Sequence, residues 1–342
     1  LAHAHLIWFG DILWLYGVCG MVVYWVCGWK ARWLIPIGIL LIGVGSSLSL
    51  LTGWSMPYWG DVQMSEFRTE WQPPPEKIEQ ELDIYRGSWL TQLPHRSINA
   101  FFAETFLLAF WGFWRAGGLM LIGMGFFKLG IFSAQRSKRF YLVGSVIAAV
   151  IGLTIVQWGV FRHEQRDWAV EYSFFVGSQF NYWGSLFVSF AYVCLVMVVC
   201  RQRLWTGLQN SLAAVGQMAL TNYLLQSIIC TGLFYGHGLG WFGYLNRVQL
   251  IGIVVVIWVL QLVLSPIWLL LVATLTYSVA RGDAGSRPNI LYIFTDDQSH
   301  RTVGCYPEAH DWVETPHLDA LATAGLRFTH CYNGAWCQPS RA

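Results

Sequence analysis

Residues 1–275 carry hydrophobic positions in repeated blocks separated by short polar connections. Each block runs for about 20 residues, which is enough for a helix to cross a bilayer. The pattern predicts spans near 6–27, 33–52, 101–126, 140–160, 182–200, 213–235 and 248–272. One long polar segment interrupts it at 53–99. There Pro73-Pro74-Pro75, then Glu76 to Arg86, then Gly87 predict a short helix that proline starts, acidic residues favour in the first turn and glycine ends. From Arg287 the pattern changes. Asn289 to Thr295 is a short β-rich apolar run of the kind that forms a buried parallel strand. Thr315-Pro316 starts a helix striped by Leu318, Leu321 and Ala322 and ended by Gly325, and Arg327 to Tyr332 reads as a further short strand. The expected architecture is an all-α polytopic transmembrane bundle of about seven spans followed by an α/β segment. The domains expected are 1–268, a junction at 269–286, and 287–342.

Composition supports lipid as the main solvent. Hydrophobic residues make up 55% of the chain and charged residues 12%, against roughly 25% charged in soluble domains. Lys30 and Arg32, then Lys128, Arg136, Lys138 and Arg139, then Arg201 and Arg203 fall on alternate connections and assign those to the cytoplasm. The opposite side receives the acidic 53–99 segment. Trp29, Trp33, Trp54, Tyr58, Trp241 and Tyr244 cluster at span ends as interfacial anchors. A net charge of +2 is too small to suggest nucleic acid. The eight cysteines show no pair with metal-ligand spacing backed by histidines, which argues against zinc. The first residue lies inside a developing apolar segment, so the start is expected to be a fragment boundary.

Three ionisable residues fall where lipid should be: Asp11 in the first span, and Glu104 and Arg115 in the third. A charge at mid-bilayer costs about 2.5–3.5 kcal/mol even on insertion scales, so such groups face partners or water. Two readings stand equally. One is a polar cavity that holds a substrate or relays protons; the other is an Asp11–Arg115 or Glu104–Arg115 pair that fixes packing. Glu104, near its span end, also has headgroups within reach. In the sixth span Gln217, Thr221, Asn222 and Gln226 are expected to share a broad helical face, with hydrogen-bonding between helices preferred over ligand binding. His3 and His5, at the chain start, and His237, between glycines, are read as solvated.

Four separated blocks then resemble the DUF418 family of YeiB-like bacterial membrane proteins: Trp-Phe-Gly-Asp-Ile-Leu at 8–13, Trp-Arg-Ala-Gly-Gly-Leu-Met-Leu-Ile-Gly-Met at 114–124, Met-Ala-Leu-Thr-Asn-Tyr-Leu-Leu-Gln-Ser at 218–227, and Gln261 to Trp268. The resemblance covers roughly 1–268. It implies a multi-pass protein of the bacterial inner membrane, with transport proposed for the family, a distant likeness to integral-membrane acyltransferases as the alternative, and no cofactor evident. The family's N-terminal helices and its usual ending after Ser-Pro-x-Trp are absent. In place of that ending, Leu269 to Ala280 has the shape of a signal-peptide h-region closing on Ser278-x-Ala280. That reading is slightly favoured over a simple continuation of the seventh span.

A second resemblance is more specific. Pro-Asn-Ile-Leu-x-Ile-x-Thr-Asp-Asp-Gln, Thr-Pro-His-Leu-Asp-x-Leu-Ala, Gly-Leu-Arg-Phe-Thr and Cys-x-Pro-Ser-Arg follow one another as at the N-terminus of type I, formylglycine-dependent sulfatases. The likeness implies an alkaline-phosphatase-like α/β fold, with Asp296 and Asp297 as Ca²⁺ ligands and Cys337 as the formylglycine precursor. Pro339, Ser340 and Arg341 complete the modification motif, and Arg341 would steady the aldehyde hydrate. The implied partners are the lipid bilayer, a formylglycine-generating or equivalent maturation enzyme, and a sulfated small molecule or glycan. The remaining catalytic groups of such an enzyme would lie beyond Ala342, so the stretch by itself is not expected to hydrolyse a sulfate ester. The expectation is thus a DUF418-type membrane protein fused, naturally or through an assembly or gene-prediction error, to the opening of an exported sulfatase. The runner-up is a membrane-tethered sulfatase that continues further.

Overall fold

The computed structural model describes residues 1–279, 301 and 303–325, with side chains to residue 271 in the first stretch. Two compact units meet in sequence between Thr276 and Tyr277. The regular elements of the first are all helices among its described residues. Its elements are α1 (Ala2–Leu6), α2 (Leu13–Tyr24), α3 (Ala31–Ser55), α4 (Asp61–Trp71), α5 (Pro75–Arg86), α6 (Trp89–Phe102), a π-helical stretch (Ala103–Gly112), α7 (Phe113–Lys128), α8 (Lys138–Glu164), α9 (Val170–Tyr172), a second π-helical stretch (Ser173–Gly177), α10 (Ser178–Arg201), α11 (Thr206–Gln217), α12 (Ala219–Phe234) and α13 (Arg247–Val279).

Among the described residues, five helical segments are long and apolar enough to cross a membrane: Ala31–Tyr58, Trp89–Lys128, Lys138–Glu164, Val170–Arg201 and Arg247–Leu271. They correspond to five of the seven expected spans, and the other two are corrected. The first is broken: α2 has 12 residues, or about 18 Å at 1.5 Å per residue, short of a hydrocarbon core about 30 Å thick. The break falls at Gly10-Asp11, where Asp11 Oδ1 accepts the Leu13 amide at 3.0 Å, the local side-chain-to-backbone bond that favours a helix start over a helix interior. The sixth is two helices, α11 and α12, bent by 80° at Met218. In the polar segment the expected helix is present as α5, with proline in its first turn, Glu76 beside it and Gly87 after it. The pattern had not revealed α4 before it or α6 after it.

The bundle is held by backbone approach. Between α3 and α7, a Cβ added to Gly38 would lie 2.6 Å from the Gly118 carbonyl oxygen, and one added to Gly118 would lie 2.6 Å from that of Gly38. Between α8 and α10, a Cβ on Gly152 would meet the Gly184 carbonyl oxygen at 2.8 Å. Lipid gives apolar surfaces little drive to pair, so small residues that let helices touch supply the dispersion contacts instead. The opposite faces carry exposed Val146, Ile147, Val150 and Leu153 on α8, as a lipid-facing surface requires. Ser88 and Ser137 cap α6 and α8 through their hydroxyls. Helix α13 contains Pro266 and runs to Val279 without a break, through most of the expected junction.

In the second unit the described residues hold α14 (Pro316–Ala324), preceded by Thr315 and followed by Gly325 as the sequence predicts. Thr315 Oγ1 accepts the Gly304 amide at 2.7 Å and donates to Asp319 Oδ1 at 2.9 Å. The expected strands at 289–295 and 327–332, and with them Asp296, Asp297, Cys337, Pro339, Ser340 and Arg341, lie outside the described residues.

Candidate functional site

The ionisable residues of the membrane unit gather around the chain start. His3 on α1 is 8% exposed. Its Nδ1 lies 3.2 Å from Asp11 Oδ1, and the Asp11 side chain is 1% exposed. The same carboxylate oxygen accepts the Tyr223 hydroxyl at 3.1 Å, and that hydroxyl in turn accepts the Ile12 amide at 3.2 Å. A second pair forms beside it, with His5 Nε2 at 3.2 Å from Glu104 Oε2. Both histidines are therefore structural members of the unit rather than solvated ends. Sequence reading missed them because an imidazole near a chain start gives no sign of partners that close only in three dimensions. Several atoms of this cluster are buried and unmatched: both ring nitrogens of His3, Asp11 Oδ2 and Glu104 Oε1 have no hydrogen-bond partner, so His3 and Asp11 meet by proximity and not through a formed hydrogen bond.

Arg115 pairs with neither acid. Its guanidinium donates to the Tyr182 carbonyl at 2.7 Å and to Ser185 Oγ at 2.9 Å, and stacks 4.3 Å from the Tyr182 ring. This corrects both expected pairs. In an unbroken α-helix Glu104 and Arg115 would share a face. The ten-residue π stretch between them takes more residues per turn, and the accumulated lag is on the order of half a turn. Glu104 thus faces α1 and Arg115 faces α10. Two indoles brace the wide turn: Trp14 donates to the Glu104 carbonyl and Trp114 to the Ala109 carbonyl.

Arg96 is 2% exposed. It donates to the Leu6 carbonyl at 2.6 Å and to Gln92 Oε1 at 2.9 Å, and Trp89 Nε1 also donates to the Leu6 carbonyl. This clamp holds α1 in place between the two histidine–carboxylate pairs.

Next to the cluster is a cavity of about 520 Å³ whose walls include Trp8, Tyr223, Phe234, Tyr235, Trp241 and Phe242, with Gln226, Ser227 and Thr231 as polar lining and Cys230 among them. Tyr223 belongs to both the cluster and the wall. Helix α12 supplies the largest share of the lining, and the bend at Met218 turns it away from the axis of α11. The bend also corrects the expected shared face. Asn222 donates to Ser265 Oγ at 3.1 Å, Gln226 donates to Gln261 Oε1 at 2.8 Å, and Gln261 donates to the Asn222 carbonyl at 3.2 Å. Gln217, on α11, and Thr221 are exposed. The α12–α13 network agrees with amides bonding across helices, and Gln261 and Ser265 are its unanticipated members.

The loop closing the cavity is tied to α5: the Gly236 amide donates to the Tyr85 carbonyl at 2.9 Å, and Arg86 Nε donates to the Phe242 carbonyl at 2.9 Å. Burial pushes the Tyr85 and Tyr235 hydroxyls up, with Arg96 acting against it. His237 remains exposed, as expected, although partial burial and then Arg96 push its imidazole down. Among the described residues no group of three His, Cys, Asp or Glu side chains is close enough to hold a metal ion.

Comparison with known proteins separates the same two stretches. The family model described as "Protein of unknown function (DUF418)" matches residues 126–272, and the model described as "Sulfatase" matches 288–342. The chain is 30% identical over 274 residues to the uncharacterized protein YeiB of Escherichia coli, covering 78% of this chain and 67% of YeiB. It is 27% identical over 284 residues to the uncharacterized protein YxaH of Bacillus subtilis, covering 78% of this chain and 64% of YxaH. The C-terminal stretch is 49% identical over 71 residues to bovine arylsulfatase A, covering 20% of this chain and 14% of that enzyme. No solved structure matches the chain. The chain spans about two thirds of the length of its membrane relatives and about a seventh of the sulfatase. With its multi-pass helical unit aligned to YeiB through most of its length, the chain belongs to the DUF418 family.

Proposed function

We propose that the membrane unit is a carrier for a small amphipathic solute in the bacterial cytoplasmic membrane, with the cavity beside α12 as its binding site. The observation that carries this reading is the broken sixth span. An 80° bend inside an apolar helix pair interrupts the backbone ladder, a break that a membrane tolerates where the helix borders protein or a cavity, and carriers place substrates beside such discontinuous helices. A volume of about 520 Å³ with aromatic walls and a few hydroxyl and amide groups falls in the range that holds small organic ligands.

Uptake is the test. Cells with and without the chain are given a uniformly labelled metabolite extract, and internalised label is resolved by mass spectrometry. At least one amphipathic solute is expected to accumulate only with the chain. Its uptake should fall by about tenfold or more, at least 1.4 kcal/mol, in Leu250→Trp, which fills the cavity from a partly exposed position. No chain-dependent solute, or full uptake by Leu250→Trp, sinks the reading.

A second reading concerns the other unit and is favoured by the sulfatase match at 288–342. We infer that Cys337 is a formylglycine precursor and that Asp296 and Asp297 belong to a Ca²⁺ site of a sulfate-ester hydrolase, with a maturation enzyme and a sulfated small molecule or glycan as partners. Asp296 and Asp297 would hold the cation, which would offset charge on the sulfate oxygens, and Cys337 once converted would supply the nucleophilic hydroxyl. When the chain is co-expressed with a formylglycine-generating enzyme, the peptide holding Cys337 should carry an aldehyde detectable by hydrazide capture and mass spectrometry. Ser340→Ala should lower that conversion at least about tenfold, equivalent to 1.4 kcal/mol. An unmodified thiol in the unaltered chain rules the assignment out.

A further inference from the structure

We propose that the His3–Asp11 and His5–Glu104 pairs form an intramembrane proton-binding site which the cavity reads through Tyr223, so that solute and protons move together. This inference rests on the carrier reading. Its ground is the unmatched chemistry of the cluster. The side chains of His3 and Asp11 are more than nine-tenths buried, and both His3 ring nitrogens, Asp11 Oδ2 and Glu104 Oε1 are enclosed without hydrogen-bond partners. Leaving carboxylate oxygens unpaired in apolar surroundings is costly. A proton on the adjacent imidazole converts each contact of a carboxylate with a neutral ring into an ion pair. Imidazole is the side chain whose charge ordinarily changes between mildly acidic and mildly alkaline conditions. The chemistry points to protons rather than a metal cation, since the described residues bring no three metal-ligating side chains together.

The groups around each acid are few. Asp11 faces His3 from α1, Tyr223 from α12 and the Leu13 amide at the start of α2, and Tyr16 acts on Tyr223 electrostatically. Glu104 faces His5, and its main-chain carbonyl is held by Trp14. Arg96 donates to the carbonyl of Leu6, the residue that follows His5. The step is a simple protonation. A hydronium ion gives its proton to an imidazole nitrogen: its O–H bond breaks, an N–H bond forms and water leaves, and the reverse step returns the proton. The link to the cavity is the Tyr223 hydroxyl, which donates to Asp11 Oδ1 while its ring forms part of the wall. Charging His3 draws Asp11 Oδ1 toward the imidazolium, weakens its bond from Tyr223 and lets the ring move.

Cys230 lines the cavity and is a free thiol, whereas Cys200 is an exposed free thiol at the far end of α10. The rate of N-ethylmaleimide labelling of Cys230, divided by that of Cys200, reports cavity access with much of the common pH effect on thiols removed. Peptide mass spectrometry on the full chain in native membranes resolves the two sites. The ratio is expected to change by about fivefold or more between mildly acidic and mildly alkaline buffer, the lower end of ordinary coupling between sites. In His3→Gln and in Tyr223→Phe, which loses only a hydroxyl, it should stay flat. A ratio that ignores pH in the unaltered chain, or keeps its full response in Tyr223→Phe, overturns the proposal. A pH-dependent ratio without solute uptake instead sinks the carrier reading and leaves the proton site standing. Uptake with a pH-independent ratio does the reverse.

Discussion

Gly38→Leu is expected to abolish the folded membrane unit, whereas Gly43→Leu on the same helix should be tolerated. A Cβ at Gly38 meets the Gly118 carbonyl oxygen at 2.6 Å and Ile122 Cγ1 at 2.8 Å, while one at Gly43 meets nothing within 4 Å. The obstacle at Gly38 is main chain, which cannot swing aside as a flexible side chain would, so α3 and α7 must separate along their contact. Overpacking of this kind costs about 3 kcal/mol and more when backbone must move. Size-exclusion profiles and melting curves in detergent make the comparison. The expected result is a lost or aggregated peak for Gly38→Leu and a melting temperature for Gly43→Leu close to that of the unaltered protein. Equal behaviour of the two would show that the glycine contact does not hold the bundle.

Arg96→Ala is the second large effect, expected to destabilise by about 2–4 kcal/mol. The guanidinium is buried, and its loss strands Gln92 Oε1, leaves Trp89 as the remaining donor of the clamp on Leu6, and opens a void. A charged hydrogen bond contributes about 1.5–3 kcal/mol, and a large-to-small change in a packed interior adds a cavity penalty. Arg96→Lys should recover only part of this, because an ammonium lacks the planar fork that reaches both acceptors. The control is Arg68→Ala. Arg68 pairs with Glu171 at 2.7 Å, but both side chains are largely exposed, and such a pair is worth about 0–1 kcal/mol. Similar melting temperatures for Arg96→Ala and Arg68→Ala would refute the clamp.

Much of this fold could be read from the sequence, for a physical reason. A span must be apolar over its whole length, so 33–52, 140–160 and 248–272 announce themselves, and proline, acidic residues and glycine mark α5 equally plainly. What stayed hidden depends on geometry that composition does not encode. A π turn uses the same residues as an α turn, so nothing in Ala103 to Gly112 signalled that Glu104 would rotate away from Arg115. Nothing in the apolar run through Met218 signalled the bend either, and with it went the register linking Gln217 to Asn222. The site's acids could be found because charge in an apolar block is conspicuous. Their histidine partners could not, because His5 meets Glu104 across 99 positions and the chain start looked like a frayed end. The sulfatase stretch is the converse case: its motif spacing speaks in the sequence, and its site residues fall outside the described structure.

The bond from Tyr223 to Asp11 spans 212 positions, and this separation has a consequence for how the protein is made. A ribosome adding about 5–20 residues per second needs on the order of 10–40 seconds to travel between them. For that time Asp11 has been synthesised and its phenolic partner has not. The carboxylate cannot take its final place until the sixth span arrives, so a segment translated well before that span is among the last parts of this unit to be finished.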